Sequence, residues 1–278
     1  MFALARLPVI QSLLFVPGAR PDRFAKALAS GADVVCIDLE DAVPPDGKVE
    51  ARGAAFAALA KAPGLAIRIN GLRTRAGLAD LLALADAQIQ PSLLLMPMVD
   101  DAAEPAIVRG VLGENCPPLV PLIETVRGLS NAAAIAADPT VALMMFGGAD
   151  FCAELGVPLT WEATATARSQ LVMACAGAGK GAIDVPFIGL DDEAGLAAEC
   201  RSARAVGFTA KAAIHPAQLG AIHAAFRPSP AEIEEAEAAA VAFAQSGGAA
   251  VRFGGRMLEA PIMARFNRIL ALKERLDA

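Results

Sequence analysis

The stretch PLVPLIET (118–125) is followed, one helix later, by VALMMFGGAD (141–150). Each is an apolar run that ends in a carboxylate, Glu124 in the first and Asp150 in the second. Near-continuous apolar runs are typical of strands that are buried on both faces in a parallel sheet. Acids at the ends of two such strands can bind one divalent cation such as Mg²⁺, which takes carboxylate, water and substrate oxygens.

Similar apolar runs recur along the chain and bring the number of predicted strands to eight. They are SLLFVPG (12–18), DVVCIDLED (33–41), AIRIN (66–70), SLLLMPMV (92–99), PLVPLIET (118–125), VALMMFGGAD (141–150), AIDVPFIGL (182–190) and TAKAAIHP (209–216). Helical stretches lie between them, at 21–30, 46–61, 78–87, 102–112, 129–137, 160–178, 193–206 and 217–226. Strict alternation of eight strands with helices predicts a (β/α)₈ TIM barrel over residues 1–227.

The remaining residues, 228–278, predict a C-terminal helical extension. PSP at 228–230 caps a helix over 231–245, SGGAAVRFGG at 246–255 is a predicted loop, and an amphipathic helix follows at about 261–275. This segment is too short for an ordinary domain. We therefore expect it to pack on the barrel or on a neighbouring subunit.

The composition restricts the class of protein. A chain of 278 residues with 55% hydrophobic residues can bury one full core. There are 24 Lys and Arg against 30 Asp and Glu, a net charge of −6, and no basic stripe with interleaved aromatic residues. Nucleic acid is therefore not an expected partner.

The cysteines and the hydropathy pattern predict a soluble cytoplasmic protein. The five cysteines are widely separated without zinc-site spacing, as expected of reduced and buried thiols. No run approaches the roughly 18 apolar residues of a membrane span. The N-terminal segment 1–18 contains Pro8 and Pro17 and lacks a cleavage site, which favours a first strand over a signal peptide.

Polar residues at the predicted C-terminal ends of the strands are candidates for the site, because TIM barrels bind substrates there. They are Arg20, Asp38, Glu40, Asp41, Arg68, Asn70, Glu124, Asp150 and His215. Arg68 suits bidentate binding of a substrate carboxylate. The acids of the second strand suit proton transfer or water positioning. Strand alternation predicts that Asp38 and Glu40 face inward and that Asp41 faces away.

Structural roles compete with these assignments. A strand-end acid can cap the next helix or pair with an arginine such as Arg127 or Arg168. His215 is more simply a buried hydrogen-bonding histidine than a base. GGAD at 147–150 lacks the pattern of a phosphate-binding loop, and its glycines would let the backbone approach a ligand, which makes Gly148 and Ala149 candidate substrate contacts.

Long motifs resemble a known family. SLLFVPGARPDRFAKALASGADVVCIDLEDAVPPDGK, AIRINGL, PLIETVRGL, FGGADF and GFTAKAAIHPAQL, in that order, resemble the citrate lyase β-subunit-like group of the HpcH/HpaI aldolase superfamily, which includes malyl-CoA and citramalyl-CoA lyases. The similarity extends to GRMLEAPIMARFNRIL at 255–270. The resemblance implies a TIM barrel, Mg²⁺ dependence, a CoA thioester substrate and a homo-oligomer, often a trimer or hexamer.

The resemblance also implies roles for particular residues. It implies that Arg68 binds the substrate carboxylate and that Glu124 and Asp150 bind the metal. Glu40 and Asp41 would lie behind the metal ligands as supporting acids.

Three positions depart from the family pattern. Gln11-Ser12 stands where Arg-Ser is common, Met98 replaces a usual lysine, and Glu259 replaces an aspartate that supports chemistry in some members. These departures leave the metal and carboxylate residues intact but weaken any inference about the substrate.

The resulting hypothesis is a Mg²⁺-dependent lyase that cleaves a 3-hydroxy-3-carboxyacyl-CoA into acetyl-CoA and a 2-oxoacid, glyoxylate or pyruvate. Glu40, Asp41 and Glu259, the last from an adjacent subunit, are the candidates for proton transfer. Arg20 and Lys26 would meet CoA phosphates, although surface solvation explains Lys26 equally well.

Other functions stay open from the sequence. One is a subunit that acts only on a citryl thioester held by an acyl-carrier partner. Others are a CoA thioesterase and a metal-dependent hydroxyacid aldolase that needs no thioester. A protein that only binds its ligand would not need the whole set of strand-end residues.

Overall fold

Eight short parallel strands form a closed barrel in the computed structural model, which describes residues 9–277. The strands are β1 (Ser12–Pro17), β2 (Val34–Asp38), β3 (Ala66–Arg68), β4 (Leu94–Met96), β5 (Leu119–Ile123), β6 (Leu143–Phe146), β7 (Gly181–Asp184) and β8 (Ala210–Ala213). Each strand pairs with the next in sequence, and β8 pairs with β1. The predicted TIM barrel is confirmed. Residues 1–8 of the predicted N-terminal segment lie outside the described residues.

Helices connect the strands and surround the barrel. They are α1 (Phe24–Leu28), α2 (Lys48–Leu59), α3 (Arg75–Ala87), α4 (Ala103–Leu112), α5 (Val126–Ser130), α6 (Ala132–Ala136), α7 (Gly148–Leu155), α8 (Trp161–Gly177), α9 (Glu193–Val206) and α10 (Leu219–Phe226). The predicted helix at 129–137 is divided into α5 and α6. In the described part of the chain, no helix is long and apolar enough to cross a membrane.

Apolar side chains pack on both faces of the barrel wall, which explains why the strand sequences are apolar almost throughout. One buried cluster, which includes Leu13, Cys36 and Leu122, fills the barrel interior. A larger cluster, which includes Leu14 and Ile37, packs between the strands and the helices. Because the interior is filled, a ligand can enter only at an end of the barrel.

The five cysteines all lie in buried positions and none forms a disulfide. Burial raises the pKa of the Cys175 thiol to about 12 and that of Cys200 to about 11. Such thiols are poor nucleophiles. The predicted burial of the cysteines is confirmed.

The predicted sixth strand is too long. β6 ends at Phe146, and α7 begins two residues later, so Asp150 lies in the first turn of a helix instead of on the strand. Phe151 and Cys152 give α7 a buried face. The short helix forms because this apolar face packs on the barrel, and it still carries Asp150 at the C-terminal end of the sheet.

The C-terminal extension contains a hairpin that the sequence analysis described as a loop. Strands β9 (Val251–Phe253) and β10 (Arg256–Leu258) pair in antiparallel fashion. The two residues between them, Gly254 and Gly255, have φ angles of 55° and 79°. This left-handed conformation suits glycine and the tight turn of a two-residue hairpin.

Two long helices complete the extension, α11 (Pro230–Gln245) and α12 (Ala260–Asp277). The predicted cap is confirmed, because the Ser229 hydroxyl accepts a hydrogen bond from the Glu232 amide while the Glu232 carboxylate accepts one from the Ser229 amide. An apolar cluster that includes Leu258 and Phe266 holds the hairpin and both helices together. The division of the chain into domains at 227/228 stays a prediction.

Candidate active site at the C-terminal end of the barrel

A cavity of about 380 Å³ opens among the C-terminal ends of the strands. Its charged lining residues are Asp38, Asp41, Arg68, Glu124 and Asp150. Apolar residues form much of the remaining wall, among them Phe15, Leu122, Met145, Ile188 and Ile214. The cavity therefore brings together charged residues from four separate parts of the chain. The apolar residues around them strengthen their electrostatic interactions.

Glu124 lies directly after β5 and is almost completely buried, with 4% of its surface exposed. Its Oε2 atom accepts a hydrogen bond from the Met98 amide at 2.6 Å. Met98 has a φ of 55°, an unusual backbone conformation for a residue with a long side chain. The Arg73 guanidinium donates to the Met98 carbonyl, so Met98 is held through both its amide and its carbonyl group. In the sequence Met98 stands out only as the replacement of a usual lysine, and its main-chain role is not visible there.

Gly147 makes room for the Glu124 side chain. A Cβ atom at this position would lie 2.1 Å from Glu124 Cγ and 2.4 Å from Oε1. These distances are far shorter than a carbon contact allows. The sequence analysis expected the glycines of GGAD to admit a ligand, and the structure shows that Gly147 admits a carboxylate of the protein itself.

Gly147→Ala should therefore reduce activity by displacing Glu124. We expect a loss of about tenfold to a hundredfold in kcat/KM, the range seen when groups that orient a metal ligand are removed. Steady-state kinetics at several Mg²⁺ concentrations would measure it. Gly64→Ala is the matched control, because a Cβ at Gly64 meets no atom within 4 Å. Equal activity of both variants would contradict this account.

Asp150 and Asp41 lie at the exposed side of the same cavity. The expectation that Asp41 faces away from the site is wrong, since it lines the cavity and approaches Arg68. Partial burial and then the charge of Asp41 raise the pKa of Asp150. Among residues 9–277 neither Glu124 nor Asp150 forms an ion pair, and the arginines proposed as alternative partners bind other acids: Arg127 approaches Asp101 and Arg168 bonds to Asp184.

The carboxylates of this cavity fit a hard divalent cation. Burial, followed by the charges of Asp150 and Asp41, raises the pKa of Glu124 to about 7, although the Met98 amide and Arg68 oppose the rise. A bound cation would remove this repulsion between carboxylates. Within the described residues no three His, Cys, Asp or Glu side chains are grouped to hold a metal. Glu124 and Asp150 would thus be a two-carboxylate site, which suits Mg²⁺ because this ion keeps several waters or substrate oxygens.

Among the described residues, Arg68 is the single cation in the cavity lining, and acids surround it. The strand register places Arg68 of β3 opposite Asp38 of β2. Its Nε and Nη2 atoms donate to the two oxygens of Asp38 at 2.7 and 2.8 Å. Nη1 lies 2.7 Å from Glu40 Oε2, and Nη2 lies 3.3 Å from the exposed Asp41 carboxylate. The guanidinium also lies over the Phe15 ring, 5.0 Å from its centroid.

This arrangement changes the expected role of Arg68. One edge of its planar fork is occupied by Asp38, an acid of the protein itself. The other edge is directed at Glu40 and Asp41, and the Asp41 side chain is 70% exposed. A ligand carboxylate would reach this second edge by displacing both Glu40 and Asp41, while Asp38 keeps the guanidinium in place.

Glu40 is half-buried beside Arg68. Burial raises the pKa of Glu40 to about 8, opposed by the charge of Arg68 and assisted by the charges of Glu124, Asp41 and Asp38. Its Oε2 has no hydrogen-bond partner of good geometry despite lying close to Arg68. A carboxyl group that is largely protonated near neutral pH can donate a proton during a reaction.

These pKa values predict how the stability of the metal-free protein depends on pH. Glu40 and Glu124 have folded pKa values of about 8 and about 7, above the ordinary value of 4.5. The folded state then binds more protons than the unfolded state between these limits, so their contribution to stability falls as the pH rises. We expect the Tm of the wild type, relative to a Glu40→Gln/Glu124→Gln variant, to fall from pH 5 to pH 8 in EDTA. A Tm difference that is constant over this range would contradict the prediction.

Of the four residues Arg20, Lys26, Gly148 and Ala149, which are predicted to contact CoA or the substrate, three lie outside the cavity lining. Arg20 is exposed and forms a two-bond ion pair with Asp22 at 2.7 and 2.8 Å. Lys26 is exposed on α1. Neither lines the cavity, whereas Ala149 does. Gly148 is buried, where an added Cβ would lie 3.0 Å from Leu159 and Phe146, and it does not line the cavity. Their roles stay predictions.

Two further strand-end candidates have structural roles. Asn70 donates a side-chain hydrogen bond of 2.6 Å to Asp80 of α3, away from the cavity. His215 caps the turn that follows β8, accepting a hydrogen bond from the Ala217 amide at 3.2 Å. The prediction that His215 is buried is wrong, because its side chain is exposed.

Glu259 lies immediately before α12 and is exposed. It does not line the cavity of its own chain. In the described part of the chain its carboxylate makes no hydrogen bond or ion pair, so a side-chain capping role is not seen. A catalytic role for Glu259 would therefore need a second copy of the chain.

Comparison with known proteins places this architecture among characterised relatives. A (3S)-malyl-CoA thioesterase of Cereibacter sphaeroides is 36% identical over 242 residues, which cover 85% of this chain and 84% of the relative. The mitochondrial citramalyl-CoA lyase of Rattus norvegicus is 31% identical, with 94% of this chain and 85% of the relative covered.

A solved structure shares the fold over nearly the full length. The crystal structure of CitE from Mycobacterium tuberculosis in complex with magnesium, acetoacetate and coenzyme A superposes with a TM-score of 0.83 at 32% identity. The match covers 96% of this chain and 98% of CitE. The family model described as HpcH/HpaI aldolase/citrate lyase matches residues 11–216, which include all of the cavity-lining acids. The chain therefore belongs to the HpcH/HpaI aldolase/citrate lyase family.

Proposed function

We propose that this protein is a Mg²⁺-dependent carbon–carbon lyase that cleaves a 3-hydroxy-3-carboxyacyl-CoA of the malyl-CoA or citramalyl-CoA type. The products would be acetyl-CoA and a 2-oxoacid. The observation that carries the proposal is one cavity that holds two unpaired carboxylates, Glu124 and Asp150, together with the fork of Arg68. The magnesium and coenzyme A bound to M. tuberculosis CitE, a relative of the same fold, support it.

The residues of the site match the charges of such a substrate. Glu124 and Asp150 would hold Mg²⁺, which supplies Lewis-acid stabilisation of negative charge on the substrate oxygens. The edge of Arg68 formed by Nη1 and Nη2 would bind the substrate carboxylate after the Glu40 and Asp41 side chains move aside. A bidentate contact of this kind fixes the plane of the carboxylate and hence the direction of the bond that breaks.

Proton transfer completes the reaction. The substrate hydroxyl loses its proton to a carboxylate, for which Asp41 is suited because it is exposed at the cavity. The hydroxyl oxygen then becomes the carbonyl of the 2-oxoacid, and the carbon–carbon bond breaks with its electron pair moving to the thioester fragment. The resulting enolate takes a proton to give acetyl-CoA. Glu40, protonated near neutral pH, is suited to donate it.

A panel of substrates tests the proposal directly. Purified protein with Mg²⁺ would be incubated with malyl-CoA, citramalyl-CoA, methylmalyl-CoA and citryl-CoA, and the products identified by mass spectrometry. Acetyl-CoA with glyoxylate or pyruvate is expected from one of the first two. Cleavage of none of the four would reject the proposal for free CoA thioesters.

A second candidate activity is thioester hydrolysis, which the thioesterase of C. sphaeroides favours by its 36% identity. It would release free CoA and an intact hydroxy diacid without a 2-oxoacid. Reaction only with a carrier-bound citryl thioester would indicate a citrate lyase β-subunit-like component with an acyl-carrier partner. Cleavage of free 4-hydroxy-2-oxoacids would indicate an aldolase.

Variants of Glu259 test whether the active site is shared between the subunits of a homo-oligomer, which we expect to be a trimer or a hexamer. We expect Glu259→Gln to lower kcat with little change in KM, because a proton-transfer group is lost while Arg68 and the metal ligands remain. Mixed oligomers of Glu259→Gln and Glu124→Gln protomers should regain activity, since some interfaces pair an intact cavity with an intact Glu259. Mixed oligomers that form but stay inactive would exclude the shared site.

A further inference from the structure

A second cavity lies at the opposite end of the barrel, between α12 and the N-terminal ends of the strands. Its volume is about 1170 Å³. Gln11 before β1, Leu143 at the start of β6 and Gly181 at the start of β7 place it at the N-terminal end. We call it the basic crevice, because its charged lining residues are Lys180, Arg201, Arg204, Arg265, Arg268, Arg275 and a single acid, Glu232.

The charge of the basic crevice is opposite to that of the whole chain. Six of the 24 Lys and Arg residues line it against one of the 30 acids, in a protein with a net charge of −6. The one acid is already used, because Glu232 binds Arg204 through contacts of 2.8 and 3.3 Å. In the part of the chain that the structure describes, Lys180, Arg201 and Arg268 form no ion pair.

Several arginines elsewhere in the molecule are paired with acids. Arg52, Arg109 and Arg168 each contact an aspartate within 3 Å. Lys180, Arg201 and Arg268 face the same cavity without an ion pair among the described residues, so their charges repel each other, and a bound anion would relieve this repulsion.

Helix periodicity directs several of these cations to the crevice. Arg265, Arg268 and Arg275 recur at intervals of three and seven residues, which places them on one face of α12. Arg201 and Arg204 are three residues apart on α9 and line the same cavity. Cationic groups therefore extend from two walls toward a shared space, an arrangement that suits an anion with more than one charged group.

Much of the remaining lining is apolar. Ile10, Phe208, Phe226 and Ile269 are buried residues whose side chains border the crevice. An inorganic anion alone would leave this surface uncovered. Pockets for small molecules and cofactors are typically about 300–1,000 Å³, with apolar walls and a few polar groups, so a crevice of about 1170 Å³ has room for such a ligand.

We propose that the basic crevice is a binding site for a nucleotide-type anion, which carries two or more phosphate groups on an aromatic or aliphatic body. The arginines bind the phosphates, and the apolar wall covers the body. Nucleoside triphosphates and coenzyme A share this chemistry. The site lies at the end of the barrel opposite to Glu124, so it does not depend on the proposed lyase activity.

Calorimetric titration of the full chain tests the proposal. ATP, CoA and inorganic triphosphate would be titrated in excess EDTA, which removes any metal and hence metal-mediated binding of phosphates at the other cavity. Saturable binding of ATP or CoA is expected, tighter than that of inorganic triphosphate, and weaker at higher salt. The nucleotide that binds more tightly identifies the body that the apolar wall accepts.

Two double variants distinguish binding in the basic crevice from an effect of the overall charge of the protein. Arg201→Gln/Arg268→Gln should weaken binding by at least about tenfold, because each lost charge-assisted hydrogen bond weakens an equilibrium by that order. Lys61→Gln/Arg75→Gln removes the same charge from exposed residues that do not line the crevice, and should bind as the wild type does. The inference is overturned by the absence of saturable binding to the wild type, or by equal affinities of the two double variants.

Discussion

Glu124→Gln and Asp150→Asn should each lower kcat/KM by more than about a hundredfold, since removing groups that merely orient a metal ligand already costs about tenfold to a hundredfold. Each change removes one of the two carboxylate charges available to Mg²⁺ while keeping the shape of the side chain. The fold should persist. A glutamine oxygen can still accept the hydrogen bond from the Met98 amide, and the neutral side chain removes a buried carboxylate whose pKa is raised to about 7.

Metal binding gives a readout that does not require turnover. Mg²⁺ should raise the Tm of the wild type, because it binds only the folded state, and should have much less effect on either variant. Glu234→Gln is a matched control, since this exposed acid on α11 is remote from the cavity lining. Wild-type activity and an unchanged Mg²⁺ response in both variants would show that the metal lies elsewhere.

The barrel could be predicted because its strands are buried on both faces. Runs such as SLLLMPMV and PLVPLIET are apolar almost throughout, and their alternation with helices leaves few other topologies. Strand ends were less predictable. The segment VALMMFGGAD has no polar side chain before Asp150. The Gly147-Gly148 pair is a signal that the strand stops at Phe146, but the sequence prediction extended the strand through it.

The hairpin at 251–258 was missed although the sequence contains a signal for it. Gly254 and Gly255 separate two short segments, VRF and RML, and a Gly-Gly pair between strand-like segments favours a two-residue hairpin. The surrounding glycines and alanines made the whole region resemble a loop. Packing of Leu258 against α11 and α12 stabilises the hairpin, and this tertiary contact is not visible locally.

The site was predictable at the level of residue types but not of contacts. Position at strand ends was enough to select Arg68, Glu124 and Asp150. The sequence could not show that Asp38 occupies one edge of Arg68, because this depends on the register between β2 and β3. Nor could it show that the Met98 amide orients Glu124, because any residue other than proline can donate this main-chain hydrogen bond.

Arg68→Lys should be nearly as damaging to activity as Arg68→Ala. The guanidinium contacts Asp38 through two atoms while also approaching Glu40 and Asp41. A lysine ammonium is a point charge and cannot hold Asp38 on one edge and a substrate carboxylate on the other. Poor orientation of the substrate lowers kcat as well as raising KM, and we expect a loss of about a hundredfold or more in kcat/KM.

Stability measurements separate this loss from unfolding. Arg68→Ala leaves the buried carboxylate of Asp38 without its partner, and breaking a buried pair in this way costs about 3–5 kcal/mol. Arg68→Lys keeps the charge and should lose less stability, so a nearly equal loss of activity would reflect the missing fork. Arg52→Lys is the matched control, because Arg52 forms a single 2.6 Å contact with buried Asp80 outside the cavity. Near-native kinetics of Arg68→Lys would mean that a positive charge suffices at this position, and the carboxylate-binding fork would have to be sought elsewhere.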